Sequence, residues 1–161
     1  MKNAPRLIEN PVLTDFLHVT WFLPEDEKQQ VEAFSGAPYD PEKLAISLYT
    51  APGPKWCLLT SDNEPIVVGG YIPVGVGKFE SFMLVTELGW IDHGRAVTRQ
   101  AIRIIGRMFH DYGARRLQTL GLANRALARS WYEKIGLHYE STLASFGAKG
   151  EDAVMYVRIK P

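Results

Sequence analysis

Residues 96–113 read AVTRQAIRIIGRMFHDYG and give the clearest structural signal in the chain. Their apolar residues recur at the spacing of one helix face, namely at Val97, Ala101, Ile104, Ile105, Met108, Phe109 and Tyr112. Gly113 follows the last of them, and glycine often ends a helix because it tolerates a left-handed backbone. The sequence therefore predicts a long helix that begins at Ala96 and ends before Gly113.

Strand patterns lie on both sides of this helix. Residues 55–60, 66–73 and 79–86 are apolar runs separated by turn-forming residues, which predicts an antiparallel meander. Residues 117–122 are read as a further short strand after the helix. Because a strand–helix–strand connection returns in the same direction, we expect residues 79–86 and 117–122 to form a parallel pair.

The N-terminal part of the chain is read as mainly helical. Residues 11–35 favour two short helices, the first capped by Thr14 or Asp15 and the second with Pro24 in its first turn. After a connection rich in proline and glycine, residues 45–49 are short and apolar. We expect this last run to be a strand.

The C-terminal part completes an α+β, or mixed α/β, arrangement. Residues 124–136 predict a helix, and residues 138–146 and 153–159 predict a closing hairpin. The expected fold is therefore a mostly antiparallel twisted sheet with one parallel pair, flanked by helices. We expect one domain, with residues 1–43 as a helical segment and residues 44–161 as the core.

Composition excludes several classes of protein. The chain has 161 residues, 46% of them hydrophobic and 22% charged, which is ordinary for a single globular domain and argues against a disordered or fibrous protein. Its 18 basic and 18 acidic residues give a net charge of zero, which argues against a globally basic nucleic-acid binder. The apolar runs are too short to span a bilayer, and the first residues do not resemble a signal peptide.

Cysteine and histidine usage gives three further expectations. Cys57 is the only cysteine, so no internal disulfide can form, which fits a reducing compartment such as the cytoplasm. Its place inside an apolar run predicts a buried hydrophobic residue and not a nucleophile. The four histidines lack the paired spacing of metal ligands, so we expect no metal site.

The balanced total charge hides an uneven distribution. Residues 1–92 hold 6 basic and 13 acidic residues, whereas residues 93–161 hold 12 and 5. Two interpretations stay open at this point. Ion pairs between the halves would neutralise the charges within one globule, or the basic half would hold a polyanionic ligand.

The start of the long helix is a candidate ligand site. Ligands of open sheets favour the carboxyl ends of such strands, and here that places them between residues 86 and 96. A glycine loop before a helix offers free backbone N–H groups and the helix dipole to a phosphate. The residues read as this phosphate site are Asp92, His93, Gly94, Arg95, Ala96 and Val97, with Arg99 close behind on the same helix face.

Residues 124–137 carry a recognisable motif, Asn-x-x-Ala followed by Tyr-x-Lys-x-Gly-Leu. With the meander and long helix before it, this stretch resembles the GCN5-related N-acetyltransferase (GNAT) superfamily over roughly residues 44–159. The resemblance implies the GNAT fold, with acetyl-CoA in a V-shaped gap between the two parallel strands. It also implies direct transfer of an acetyl group from acetyl-CoA to an amine of a small molecule or a protein.

The resemblance also implies roles for particular residues. The pantetheine arm of acetyl-CoA would pair with the backbone at Met83, Leu84 and Val85, and Asn124 would hydrogen-bond the same arm while capping its helix. Tyr132 would act as the general acid towards the departing thiolate. Glu80, on the strand that leads to the gap, would act as the general base, although an exposed charge at a strand start explains it equally well.

A narrower resemblance points to a second class of function. Pro65-Ile66-Val67-Val68-Gly69-Gly70, Leu84-Val85-Thr86 with Trp90, and Gly94-Arg95-Ala96 are similar to segments of GNAT-like internal virion or morphogenesis proteins of short-tailed bacteriophages. That resemblance implies an assembly protein acting through contacts with virion or host proteins, without catalysis. A third and weaker alternative is nucleic-acid binding through the arginine face of the long helix, formed by Arg95, Arg99, Arg103 and Arg107 at a spacing of four residues.

Overall fold

The computed structural model describes residues 4–161, which form one seven-stranded sheet and five helices. The sheet has the strand order β1-β2-β3-β4-β5-β7-β6. In chain order the elements are β1 (Arg6–Ile8), α1 (Leu13–Trp21), α2 (Glu25–Ser35), α3 (Pro41–Thr50), β2 (Lys55–Leu59), β3 (Pro65–Gly75), β4 (Lys78–Val85), α4 (Glu87–Asp111), β5 (Arg116–Leu122), α5 (Ala126–Lys134), β6 (His138–Leu143) and β7 (Ala153–Ile159).

The predicted meander and crossover are confirmed. β2, β3 and β4 are antiparallel neighbours, and β4 pairs in parallel with β5 after the chain has passed through α4. The closing hairpin of β6 and β7 is present as well, with β6 three residues shorter than expected. The class is therefore the mixed α/β class predicted, with one parallel pair in a mostly antiparallel sheet.

Each face of the sheet carries its own apolar core. On one face, Leu58, Ile66 and Val85 pack with the buried side of α4. On the other, Cys57 and Val68 pack with α1 and α3. Cys57 is fully buried, and burial raises the pKa of its thiol to about 12, so it lies where the sequence predicted.

The predicted strand at residues 45–49 is wrong, because these residues belong to α3. The Asp40 side chain accepts a hydrogen bond from the Lys43 backbone at 3.1 Å, and Pro41 begins the helix. Leu44, Ala45 and Leu48 pack into the core on the α1 side, which is the spacing of a helix face. Five apolar residues taken alone do not distinguish a strand from a buried helical turn.

The predicted start of the long helix is also wrong. α4 begins at Glu87 and not at Ala96, so residues 92–96 lie inside the helix and are not a loop. Thr86, expected at the end of a strand, is instead the N-cap residue, and its hydroxyl accepts a hydrogen bond from Gly89 N at 3.0 Å. The end of α4 agrees with prediction, since Gly113 follows it with a φ of 64°.

Several smaller boundaries differ from the sequence interpretation. α1 has Val12 at its N-cap, and Asp15 serves as the acceptor for the Val12 backbone N–H at 2.9 Å. Pro24 is the N-cap of α2 and not part of its first turn. β1 was not predicted, and residues 1–3 of the expected N-terminal segment lie outside the described residues.

Ion pairs join the acidic and basic halves of the chain. Arg107 pairs with Glu9, and Arg125 pairs with Asp26 at 2.8 Å. These contacts support the first of the two interpretations of the charge distribution. In the described part of the chain, no helix is long and apolar enough to cross a membrane.

Candidate active site

The parallel strands β4 and β5 separate at one end of the sheet. Their last paired residues are Glu80 and Gln118, yet β4 continues to Val85 and β5 to Leu122. Thr86 N donates a hydrogen bond to Ile66 O on β3. The backbone N–H and C=O groups of successive strand residues point to opposite neighbours, so those of Val85 and Met83 point towards β5. The result is a gap with unpaired strand edges on both sides, in the position where the resemblance places an acyl donor.

Side chains from α2 reach the open end of this gap. Gln30 Oε1 accepts hydrogen bonds from Leu122 N at 3.0 Å and from Arg125 Nη1 at 2.9 Å. Arg125 also donates to Asp26 Oδ2, so one guanidinium ties α2 to the segment after β5. These contacts fix which face of α2 is turned to the sheet, and that face carries Glu27.

Glu27 is a buried carboxyl at the same end of the gap, with an exposed fraction of 9%. Burial raises its pKa from 4.5 to about 7, because desolvation disfavours the charged form more than its neighbours favour it. Arg125, whose Nη2 lies 4.0 Å from Oε1, opposes that shift, as do the Trp90 indole and the Val85 amide. Oε2 is buried and has no hydrogen-bond partner among the described residues.

Tyr132 lies across the gap from α2, on α5. Its hydroxyl lies over Gly121 of β5, where an added Cβ would be 2.9 Å from it and 3.5 Å from Gln30 Oε1. The ring packs against Tyr156 and Trp131. Burial raises the pKa of the phenol, and the nearby Glu27 carboxylate raises it further, so the hydroxyl stays protonated at neutral pH.

Glu80 lies at the closed end of the gap and has a partner there. Gln118 Nε2 donates to Glu80 Oε2 at 3.2 Å, and Arg116 Nε donates to Gln118 Oε1 at 3.0 Å. Arg116 continues the chain of contacts to Glu140 on β6. With about 3.3 Å per strand residue, Glu80 is roughly 16 Å along β4 from Val85. The structure therefore does not bring Glu80 together with the open-end group of Glu27 and Tyr132.

The residues interpreted as a phosphate-binding loop lie within helix α4 and not in a loop before it. Asp92, His93, Gly94, Arg95 and Ala96 line a groove of about 600 Å³ along the outer side of α4, beside Ala4 and Pro5. Val97 is fully buried in the core and faces the sheet. An added Cβ on Gly94 would meet only Trp90, at 4.0 Å.

The true start of α4 is capped by the chain itself. Gly89 N is held by the Thr86 hydroxyl, and Glu87 N approaches Phe22 O at 3.4 Å. Glu87 also puts a negative charge where an anion would bind. A diphosphate therefore does not fit this helix end as it stands, and the predicted glycine cradle is absent because residues 92–96 are helical.

Asn124 is not the N-cap that the sequence predicted. Arg125 occupies that position before α5, and Asn124 is exposed. Its place beside Arg125 nevertheless keeps it near the open end of the gap.

Sequence reasoning did not single out Gln30 or Arg125, and it named Glu27 only as one of several acidic residues in the N-terminal helices, which favour a cationic acceptor or form a solvated helix start. Glu27 stands in an acidic run at a helix start, where a solvated charge is the usual interpretation. The available signal was the spacing of Glu27 and Gln30, which puts both on one helix face. That spacing could not reveal that the face is buried.

This chain is similar to known proteins in its fold. Searches of protein-family models and of curated protein sequences each found no match. Among solved structures, a GNAT-family acetyltransferase from Bacillus anthracis is similar with a TM-score of 0.73 at 13% identity, covering 98% of this chain and 97% of that one.

Two further solved structures are similar to this chain in fold. A protein described as a putative phosphinothricin N-acetyltransferase has a TM-score of 0.74 at 14% identity, covering 97% and 98% of the two chains. A spermidine N-acetyltransferase variant from Vibrio cholerae has a TM-score of 0.73 at 11% identity, covering 96% and 93%. At these identities the similarity shows the fold alone, and that fold is the one of GNAT acetyltransferases.

Proposed function

We propose that this chain is an acyl-CoA-dependent N-acyltransferase that moves an acetyl group from acetyl-CoA to an amine by direct attack. The observation that carries the proposal is the gap between β4 and β5, with Tyr132 over one wall and a buried carboxyl at its open end. Acetyl-CoA supplies an activated acyl group as a thioester. The amine comes from a small molecule or a protein.

The walls of the gap suit an extended arm better than they suit a diphosphate. Met83 turns its peptide group into the gap, so a pantetheine amide can pair there as an added strand would. At Val85 the amide already faces the Glu27 carboxyl, so pairing there requires that contact to give way. The phosphates would lie along the outer side of α4, where Arg95 and Arg99 line the groove.

Tyr132 has the properties of a general acid. Its phenol is held protonated beside the gap, and a departing thiolate gains stability from a proton donor. We expect Tyr132→Phe to keep the affinity for acetyl-CoA and to lower kcat at least about tenfold. Steady-state release of the CoA thiol measures this, and unchanged turnover would contradict the assignment.

Isothermal titration with acetyl-CoA, with CoA and ATP as comparison ligands, tests the donor site directly. We expect micromolar binding that weakens in Gly94→Glu, because that substitution adds a charge beside the groove. Gly106→Glu is the matched control, since it makes the same change at an exposed position three turns further along α4. Equal weakening in both variants would mean that the effect comes from the helix and not from the groove.

A second function is favoured by the capped start of α4. Because Thr86 and Phe22 already engage amides there, and because the glycine cradle is absent, the fold could serve without an acyl donor. The chain would then be a non-catalytic assembly protein of the bacteriophage internal virion type, acting through protein contacts. Absence of binding at millimolar acetyl-CoA, with a stoichiometric complex with other virion proteins, would put this function first.

A further inference from the structure

We infer that Glu27, and not Glu80, is the group that takes the proton from the acceptor amine. This inference rests on the proposed function and assigns a residue within it. An amine arrives as an ammonium ion and must lose a proton before its nitrogen can attack a carbonyl carbon. A nearby carboxylate that is poorly solvated and incompletely hydrogen-bonded is suited to receive that proton.

Glu27 meets this requirement through its surroundings. Among residues 4–161, its buried Oε2 has no hydrogen-bond partner, although buried carboxylate oxygens are usually satisfied. About 11% of the side chain as a whole is accessible, although Oε2 itself is buried. The Trp90 indole N–H approaches the carboxyl and favours its charged form.

Glu80 is accounted for in another way. Its carboxylate accepts a hydrogen bond from Gln118, whose own carbonyl is held by Arg116. This chain of side chains joins β4 to β5 at the point where the two strands are still paired. Glu80 therefore strengthens the closed end of the gap, about 16 Å along β4 from Val85, whose amide faces the Glu27 carboxyl.

Four other groups set the charge around Glu27. Arg125 and Asp26 lie on its solvent side and are paired with each other. Tyr132 approaches from α5, and Tyr39 approaches from the connection before α3. Both phenols have raised pKa values because of burial, so neither is charged at neutral pH. Arg125 is thus the only cation that faces Glu27 among these four groups.

Glu27 and Tyr132 together account for every proton that moves in the transfer. Glu27 takes one proton from the ammonium and later releases it to solvent. The nitrogen–carbon bond forms as the carbon–sulfur bond breaks, and Tyr132 gives its proton to the sulfur that leaves. The second proton lost by the nitrogen returns to Tyr132. The products are the N-acyl amine, the CoA thiol and one proton.

The test is the pH dependence of kcat/KM with acetyl-CoA and a panel of simple alkylamines. In the wild type we expect activity to rise as the pH passes through neutrality. Glu27→Gln should lose at least about a hundredfold in kcat and lose that rise, while its KM for acetyl-CoA changes less than about threefold. Glu25→Gln is the control, because it removes the same charge from an exposed position on the same helix.

Two further measurements examine Glu27, one for its chemical role and one for its protonation state. Added formate should restore part of the rate of Glu27→Ala, because a small carboxylate can replace the missing one. A carbon-13 titration of the glutamate carboxyl groups should show one group that titrates near neutrality and disappears in Glu27→Gln. Rescue by formate is not expected if Glu27 only supports the fold, whereas the titration near neutrality follows from burial and shows that the carboxyl is desolvated.

The outcomes are distinguishable. If wild type transfers acetyl groups but Glu27→Gln keeps its rate and its pH dependence, the inference fails while the proposed function stands. If Glu80→Gln and not Glu27→Gln removes the rise with pH, the base is Glu80 and the inference is again overturned. If wild type binds acetyl-CoA but acetylates no amine, both fail together.

Discussion

Replacing Glu27 by glutamine should make the protein more stable at neutral pH and leave it unchanged at acidic pH. The folded protein holds this carboxyl with a pKa raised from 4.5 to about 7, so it binds a proton more tightly than the unfolded chain does. Stability from this group is therefore fully present below pH 4.5 and is lost as the pH rises through 7. Glutamine resembles the protonated acid and does not ionise.

The expected size follows from the pKa shift. A difference between 4.5 and about 7, at about 1.4 kcal/mol for each pKa unit, gives about 3 kcal/mol. Glu27 has an exposed fraction of only 9%, so solvent screening does not reduce this figure much. The free energy of unfolding of Glu27→Gln minus that of wild type should thus rise from near zero at pH 4.5 to about 3 kcal/mol at pH 8.

Urea unfolding at half-unit pH steps measures this difference. Glu25→Gln serves as the control, because it makes the same change at an exposed position on the same helix. A difference for Glu27→Gln that stays constant within about 0.5 kcal/mol across the range would refute the reasoning, and with it the desolvated state of the carboxyl.

Further predictions concern α4 and the wall of the gap. Thr86→Ala should lower the free energy of unfolding by about 1 kcal/mol, since it removes the N-cap, and no loss would mean that the helix starts later. Gly94→Ala and Gly106→Ala should each raise the free energy of unfolding by up to about 1 kcal/mol, because neither added methyl group meets a close neighbour among the described residues. Urea unfolding measures both changes. Destabilisation by Gly94→Ala alone would indicate that residues around Gly94 form a loop and not a helix. Gly121→Ala should lower the free energy of unfolding by about 1–3 kcal/mol and reduce acetyl transfer, because its methyl group would lie 2.9 Å from the Tyr132 hydroxyl. Unchanged stability and turnover would contradict that placement of the phenol.

Hydrophobic periodicity predicted the buried face of the long helix but not the residue at which the helix begins. Its buried stripe from Val97 to Phe109 packs on the sheet as expected. Its first nine residues were missed, because Gly89 and Gly94 and the polar residues between them have low helix propensity. Thr86 supplies the cap, and packing of Gly89 against Ile66 of β3 leaves no room for a side chain there, so tertiary contact fixes the start.

The candidate site follows the same division. Tyr132 was identified from a motif in the sequence, and the structure places its hydroxyl at the gap between β4 and β5. Its role as an acid stays a prediction. Glu27 could not be identified, since an acidic residue at a helix start is normally solvated. Only the contacts of Gln30 and Arg125 with the end of β5 turn that face of α2 inward.

Local patterns in the sequence determined strands β2 to β7, the order of the meander, the parallel crossover and the end of the long helix, because each depends on nearest-neighbour periodicity or on a turn residue. Tertiary structure alone decided that residues 45–49 are helical, that α4 begins at Glu87 and that Glu27 is desolvated. The physical reason is that burial depends on which distant segments meet. The pKa of Glu27, the start of α4 against β3 and the unpaired edges of β4 and β5 all depend on such contacts between distant segments.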